Sequence, residues 1–259
     1  MQSTMRLDYL FDLTGHVAVV TGGNSGIGKA IAQALGSRGA KLVLMARRQP
    51  EMNAVCAELR DDGMDATGIA VDLADREALH QACVDAALPY GAPDILVNCS
   101  GINIRRPFPE LTDEDWDATM AINLAAPFFL TRALAPAMKA KGWGRIINIA
   151  SLQSVRAFNN SSPYGASKGG VMQLTRATAE YWSAFGVTCN AIAPGFFNTP
   201  LTAAVFGDAA KAQKNAEATM IGRNGELPDL YGTAIFLASN ASAYVTGQTI
   251  FVDGGFSAK

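Results

Sequence analysis

The chain has 259 residues, 49% of them apolar and 17% charged, and a net charge of −2. This composition suits a packed core and excludes disorder, and the scattered acids and bases form no basic face for a nucleic acid. No run of about 18 apolar residues occurs, so no membrane span is expected.

The opening MQSTMRLDYLFDL contains acids and no continuous apolar region, unlike a secretory leader. Seven short apolar runs follow: VAVV (17–20), LVLM (42–45), TGIAV (67–71), DILVN (94–98), RIINIA (145–150), VTCNAIA (187–193) and TIFVD (249–253). Their near-continuous hydrophobicity predicts strands buried on both faces. Helices are predicted between them at 27–38, 51–62, 75–88, 113–138, 164–184 and 228–239. The alternation predicts an α/β fold: a single doubly wound Rossmann-type domain over 1–259, with a seven-stranded, mostly parallel sheet and helices on both faces. The stretch 196–226 is the longest connection without a strand and reads as an insertion covering a ligand site.

TGGNSGIG (21–28) joins the first strand to the first helix. Glycines 22, 26 and 28 allow a tight turn and close backbone approach to a pyrophosphate at the positive end of the helix. The second strand ends in MARRQ. An acid near this point would bind the ribose hydroxyls of NAD; Arg47 and Arg48 instead suit a 2′-phosphate, favouring NADP(H). Asp72 closes the third strand and can meet the adenine amine or cap the helix near Asp75. Asn98 ends a strand in NCSG, and Arg105 and Arg106 follow it. Their guanidiniums suit a substrate carboxylate, or they are solvated, or they pair with the acidic run Glu110, Asp113, Glu114 and Asp115. Ser151 follows the strand RIINIA at the carboxyl end of the sheet. Tyr164 and Lys168 in YGASK are four apart, one above the other on a helix. The ammonium is expected to lower the phenol's pKa from about 10, as a tyrosine base requires. Cys56, Cys83, Cys99 and Cys189 form no CxxC pair, and only two histidines occur. No metal site is expected, and the cysteines read as buried residues in a reducing, cytoplasmic setting.

These motifs, with Asn123 in AINLAAPFF and PGFFNT at 194–199, resemble the short-chain dehydrogenase/reductase family from about residue 13 to 255. NCSG departs from the family's usual NNAG at Cys99 and Ser100. The resemblance implies that Tyr164 exchanges the proton, Ser151 polarises the substrate oxygen, Lys168 holds the nicotinamide ribose and tunes Tyr164, Asn123 positions a water, and Asn98 stabilises the central strands and the cofactor edge. It implies cofactor contacts from Gly22, Asn24, Ser25, Gly26, Ile27 and Gly28; from Arg47, Arg48, Asp72 and Leu73; from Asn98, Ser100 and Gly101; from Tyr164 and Lys168; and from Pro194, Gly195, Phe197 and Thr199. Segments 100–124 and 221–255 are most similar to the gluconate 5-dehydrogenase and 2-deoxy-gluconate 3-dehydrogenase branch. A small-molecule substrate, a keto sugar acid, is therefore expected at Arg105, Arg106, Ser151, Gln153 and Asn159, with Arg156 and Asn160 adding polar groups. A 3-oxoacyl-thioester or broad ketone reductase is the alternative, since Phe196, Phe197, Leu201, Val205, Phe206 and Met220 make 196–226 apolar. A non-catalytic nucleotide-binding regulator is the alternative of another class, disfavoured by the intact Asn123, Ser151, Tyr164 and Lys168. Trp116, Phe128, Phe129, Met172, Tyr181 and Trp182 lie on the two long helices, where a second apolar face would imply a partner, and the resemblance implies a homotetramer through such helices.

Overall fold

In the computed structural model, which describes residues 7–259, the first apolar run is strand β1 (Val17–Thr21), buried throughout. Side chains alternate across a strand, and both faces of β1 are covered. Val17 and Val19 enter the core on one side of the sheet, Ala18 and Val20 the core on the other. Helix α1 (Gly26–Gly36), β2 (Lys41–Ala46), α2 (Gln49–Asp61), β3 (Ala66–Ala70), α3 (Arg76–Asp85) and β4 (Ile95–Asn98) complete the first half. The reading of the opening segment falls partly on residues 1–6, outside the described residues.

The second half begins with α4 (Asp113–Met120), whose first turn is closed by a reciprocal box. The Asp115 amide donates to the Thr112 hydroxyl, and the Thr112 amide to the Asp115 carboxylate, each at 3.2 Å. One π-helical turn, Ala121–Ala125, links α4 to α5 (Ala126–Lys141). There follow β5 (Gly144–Ile149), α6 (Ser162–Trp182), β6 (Val187–Pro194), α7 (Ala203–Phe206), α8 (Ala209–Ala218), α9 (Tyr231–Ala238) and β7 (Thr249–Val252). The insertion thus contains two short helices, α7 and α8.

The strand order is β3-β2-β1-β4-β5-β6-β7. Every pairing is parallel, where the sequence suggested a mostly parallel sheet. The order reverses between β1 and β4, which opens a crevice beyond their carboxyl ends.

The continuous helix Asp113–Lys141 has a mean hydropathy of 1.3 over its most apolar stretch and is long enough to cross a membrane. A search for an unbroken apolar run overlooks it. Its Leu130, Leu134 and Met138 are buried with Val19, Leu79 and Leu96 under the sheet, which is the burial of a core helix. Each such side chain contributes about 1.5–3 kcal/mol, so Leu130→Ala should cost about 2–5 kcal/mol.

Candidate active site

The crevice is a cleft of about 900 Å³. At one end, the Thr21 hydroxyl accepts hydrogen bonds from the Cys99 and Ser100 amides at 2.9 and 3.0 Å. This locks the turn after β1 against the turn after β4. Gly22 is left-handed, with φ +67, and a Cβ there would lie 3.2 Å from the Ser100 backbone. A Cβ on Gly28 would collide with the Gly22 carbonyl. Ser25 caps α1 without a side-chain hydrogen bond, so the first-turn amides of α1 have no side-chain acceptor. Residues 24–28 line the cleft. Bare backbone, unsatisfied donors and a positive helix end together fit a pyrophosphate.

Ala46, Arg47 and Arg48 line the same end. The two arginines differ: Arg48 is paired with Glu51 at 2.8 Å, while Arg47 has no ion-pair partner among the described residues. A 2′-phosphate therefore fits Arg47 first. Asp72 and Leu73 also line the cleft. The Asp72 carboxylate accepts from the Ala74 amide at 3.0 Å, whereas α3 is capped by Asp75, which accepts from Glu77 and Ala78. Capping, one of two roles open to Asp72, thus belongs to its neighbour.

At the other end, Asn98 does not line the cleft, contrary to its expected cofactor contact. It is buried, and its Nδ2 donates to Asn148 Oδ1 at 2.8 Å, joining β4 to β5. Asn148 in turn donates to the Thr175 hydroxyl on α6 at 2.9 Å. Neither Asn148 nor Thr175 was legible in the sequence, because both act on a paired strand and a packed helix. The π turn directs Asn123 inward, also off the cleft wall. Its amide accepts from the Ile102 amide, donates to the Ile102 carbonyl (both 2.9 Å) and donates to the Ser167 hydroxyl at 3.1 Å. Ser167 donates to the Tyr164 carbonyl at 2.7 Å. Asn123 therefore couples the segment after β4 to the first turns of α6.

Tyr164, Lys168 and Ser151 meet on one wall. Lys168 Nζ lies 5.7 Å from the Tyr164 ring centroid and donates to the Ile149 carbonyl at 2.6 Å. Burial pushes the ammonium's pKa down to about 8. Burial also pushes the Tyr164 phenol up, opposed by the Ser151 hydroxyl and the Arg105 guanidinium. The expected lowering by Lys168 is not among the influences on the phenol, and desolvation disfavours both charged forms. The Ser151 hydroxyl accepts from the Gln153 amide at 3.1 Å, which orients it at the end of β5.

The neighbouring arginines separate. Arg105 lines the cleft. Arg106 does not, and its expected substrate contact is replaced by an ion pair with the buried, capping Asp115 at 3.2 Å. Gln153 and Asn159 line the cleft. Arg156 instead donates to the Ser257 and Lys259 carbonyls, both at 3.3 Å. Asn160 is left-handed, with φ 60, and its carbonyl accepts from the Arg106 amide at 3.2 Å.

Ser100, Gly101, Pro194, Gly195, Phe197 and Thr199 line the cleft where expected. A Cβ on Gly195 would lie 2.8 Å from Asp253 Cα, so only glycine admits the backbone just after β7 this close. The sequence reading missed Asn103 and Phe158, and on α8 Lys211, Lys214 and Asn215, all on the cleft wall. The spacing 211, 214, 215 presents one helix face and was the available signal.

Residues 22–257 match the family model described as enoyl-(acyl carrier protein) reductase. The chain is 37% identical over 248 residues to gluconate 5-dehydrogenase of Gluconobacter oxydans, covering 96% of this chain and 97% of that protein. It is 36% identical over 251 residues to 5-keto-D-gluconate 5-reductase of Escherichia coli, covering 95% and 97%. Its fold is similar to the crystal structure of a gluconate 5-dehydrogenase from Burkholderia cenocepacia in complex with NADP and tartrate. The TM-score is 0.94 at 38% identity, covering 98% of this chain and all of that one.

Proposed function

The chain belongs to the short-chain dehydrogenase/reductase family, and from that premise we propose an NADP(H)-dependent oxidoreductase that interconverts a secondary alcohol and a ketone on a sugar acid such as gluconate or 5-ketogluconate. The observation that carries this reading is a single cleft lined by Tyr164, Ser151, Lys168 and Arg105. It holds a proton donor, a second hydroxyl for the developing oxyanion, a buried cation and a guanidinium suited to a carboxylate. The names of the relatives support the sugar acid. NADP and tartrate, a hydroxylated diacid, in the Burkholderia enzyme support both cofactor and substrate class.

A bound nicotinamide would supply or accept the hydride. In reduction, negative charge grows on the carbonyl oxygen. Ser151 donates a hydrogen bond to it and Tyr164 delivers its proton, which burial keeps on the phenol at neutral pH. In oxidation Tyr164 takes the proton back as phenolate, helped by the Arg105 charge. Lys168 binds the nicotinamide-side ribose, and Arg47 the 2′-phosphate. Asn123 acts as a positioning residue behind this wall. Arg105 binds the substrate carboxylate; Gln153 and Asn159 bind its hydroxyls.

A second reading, a 3-oxoacyl-thioester reductase, is favoured by the apolar wall of Phe158, Phe196, Leu201 and Val205. Initial rates with NADPH and NADH on 5-ketogluconate and an acetoacetyl thioester separate the two. The sugar-acid reading requires the higher kcat/KM for 5-ketogluconate with NADPH, and a preference for the thioester overturns it. Four free cysteines support a reducing compartment such as the cytoplasm. Exposed Trp116, Phe128 and Tyr181 on α4, α5 and α6 support a homotetramer, to be tested by light scattering; the 27.2 kDa mass of one chain would refute it.

A further inference from the structure

Asn103 belongs to the short segment that leaves β4 and crosses the chemical end of the cleft. The segment is pinned on both sides of it. Ile102 is held through its amide and carbonyl by Asn123. Arg106 is held by the Asn160 carbonyl and by Asp115. A Cβ on Gly101 would lie 3.8 Å from Lys168 Nζ, so the segment starts beside the catalytic lysine. Two residues beyond Asn103, Arg105 acts on the Tyr164 phenol through its charge. Asn103 is therefore bracketed by groups that touch the reaction centre, and it lines the cleft itself.

Its amide oxygen is buried and has no hydrogen-bond partner. Among the described residues, three other buried side-chain oxygens share that state, on Asn98, Thr188 and Asn224, but none of those residues lines this cleft. A buried acceptor left unpaired is costly, and folded proteins keep few. Among the described residues no group pairs with this oxygen, and the amide that carries it belongs to a residue of the cleft wall.

We propose that Asn103 is a substrate-binding residue whose amide hydrogen-bonds a hydroxyl of a polyhydroxylated substrate, between the reacting carbonyl and the carboxylate on Arg105. The inference rests on the sugar-acid reading. A hydroxyl serves because it both donates and accepts, so it satisfies either end of the amide, and the amide's terminal torsion turns freely between two orientations. A chain of methylenes satisfies neither. Asn103 thereby discriminates between hydroxylated and deoxygenated ketones that share length and charge, as sites built around a substrate hydroxyl do.

The test uses the full-length protein and two six-carbon keto acids, 5-ketogluconate and 5-oxohexanoate. They share the carboxylate and the carbonyl and differ in the hydroxyls, those between the two groups and the one on the terminal carbon. Asn103→Leu keeps the branched shape of the side chain, slightly enlarged, and removes the amide; Asn103→Ala is the companion variant. With NADPH, both variants should raise the KM for 5-ketogluconate about 10-fold or more and change kcat by less than about threefold. The KM for 5-oxohexanoate should stay unchanged or fall. The thermal midpoint of Asn103→Leu should stay level or rise, since the lost oxygen had no partner to strand; a merely structural amide would lower it. Equal KM changes on the two ketones, no change on either, or a lower midpoint with parallel activity loss would each overturn the assignment. A wild-type enzyme that reduces 5-oxohexanoate and ignores 5-ketogluconate would overturn both this inference and the sugar-acid reading. Parallel losses on both ketones, in a chain whose wild type prefers 5-ketogluconate, would overturn this inference alone.

Discussion

The two ends of the cleft are made of different parts of the polypeptide. At the β1–α1 end the contact surface is backbone: a turn that excludes Cβ atoms at Gly22 and Gly28, and helix amides without a side-chain cap. At the β4–α6 end it is side chains, from Tyr164, Lys168, Ser151 and Arg105, which three separate segments supply. The backbone end is built from neighbours in sequence and suits an invariant group, a pyrophosphate. The side-chain end depends on which segments pack together, and it can be retuned for a new substrate one residue at a time. Substitutions at the first end should act on cofactor binding, and those at the second on chemistry and substrate.

The largest effect expected is at Tyr164. Tyr164→Phe removes the exchanging proton and should lower kcat about a thousandfold. NADPH affinity, read by fluorescence titration, should stay within about twofold, and a parallel loss of affinity would break the division between the ends. Next comes Arg105→Leu, which should raise the KM for 5-ketogluconate about 10- to 100-fold. Arg106→Leu should leave that KM unchanged, because its guanidinium is committed to Asp115; matching effects would show that both arginines reach the substrate. At the backbone end, Arg47→Ser should raise the KM for NADPH about tenfold and leave NADH alone. Arg48→Ser should do less, since Arg48 is shared with Glu51.

The smallest effect sharpens the electrostatics of the chemical end. Lys168 titrates near 8 in the folded chain, against 10.5 ordinarily, because burial disfavours its charge. Below about 8 both folded and unfolded chains hold the proton, and the folded state bears the whole desolvation cost. Between about 8 and 10.5 the unfolded chain binds more protons, so stability rises with pH. The thermal midpoint of the cofactor-free protein, relative to Lys168→Met, should therefore climb across that range. A falling difference would mean that the fold stabilises the ammonium.

Of the two roles implied for Asn98, joining the central strands is seen and lining the cleft is not. The residue stands at the carboxyl end of a strand, where ligands bind, yet it spends its donor on Asn148 of the neighbouring strand. Asn123 is similar: the helix it sits on was legible, but a π turn within that helix directs it to Ile102 and Ser167. Arg105 and Arg106 are adjacent and chemically identical, and only the capping box of α4 separates them.

The sequence by itself determined whatever rests on near neighbours along the chain. The seven strands follow from continuous apolar runs, although the edge strands β3 and β7 are only partly buried, the tight turn after β1 follows from three glycines, and the Tyr164–Lys168 pair from the pitch of a helix. The tertiary structure decided partners and charges: which arginine faces the cleft, which asparagine is spent between strands, and whether a phenol beside an ammonium is made more or less acidic. Those outcomes depend on water excluded, and on donors brought within a few ångströms, by segments far apart in sequence.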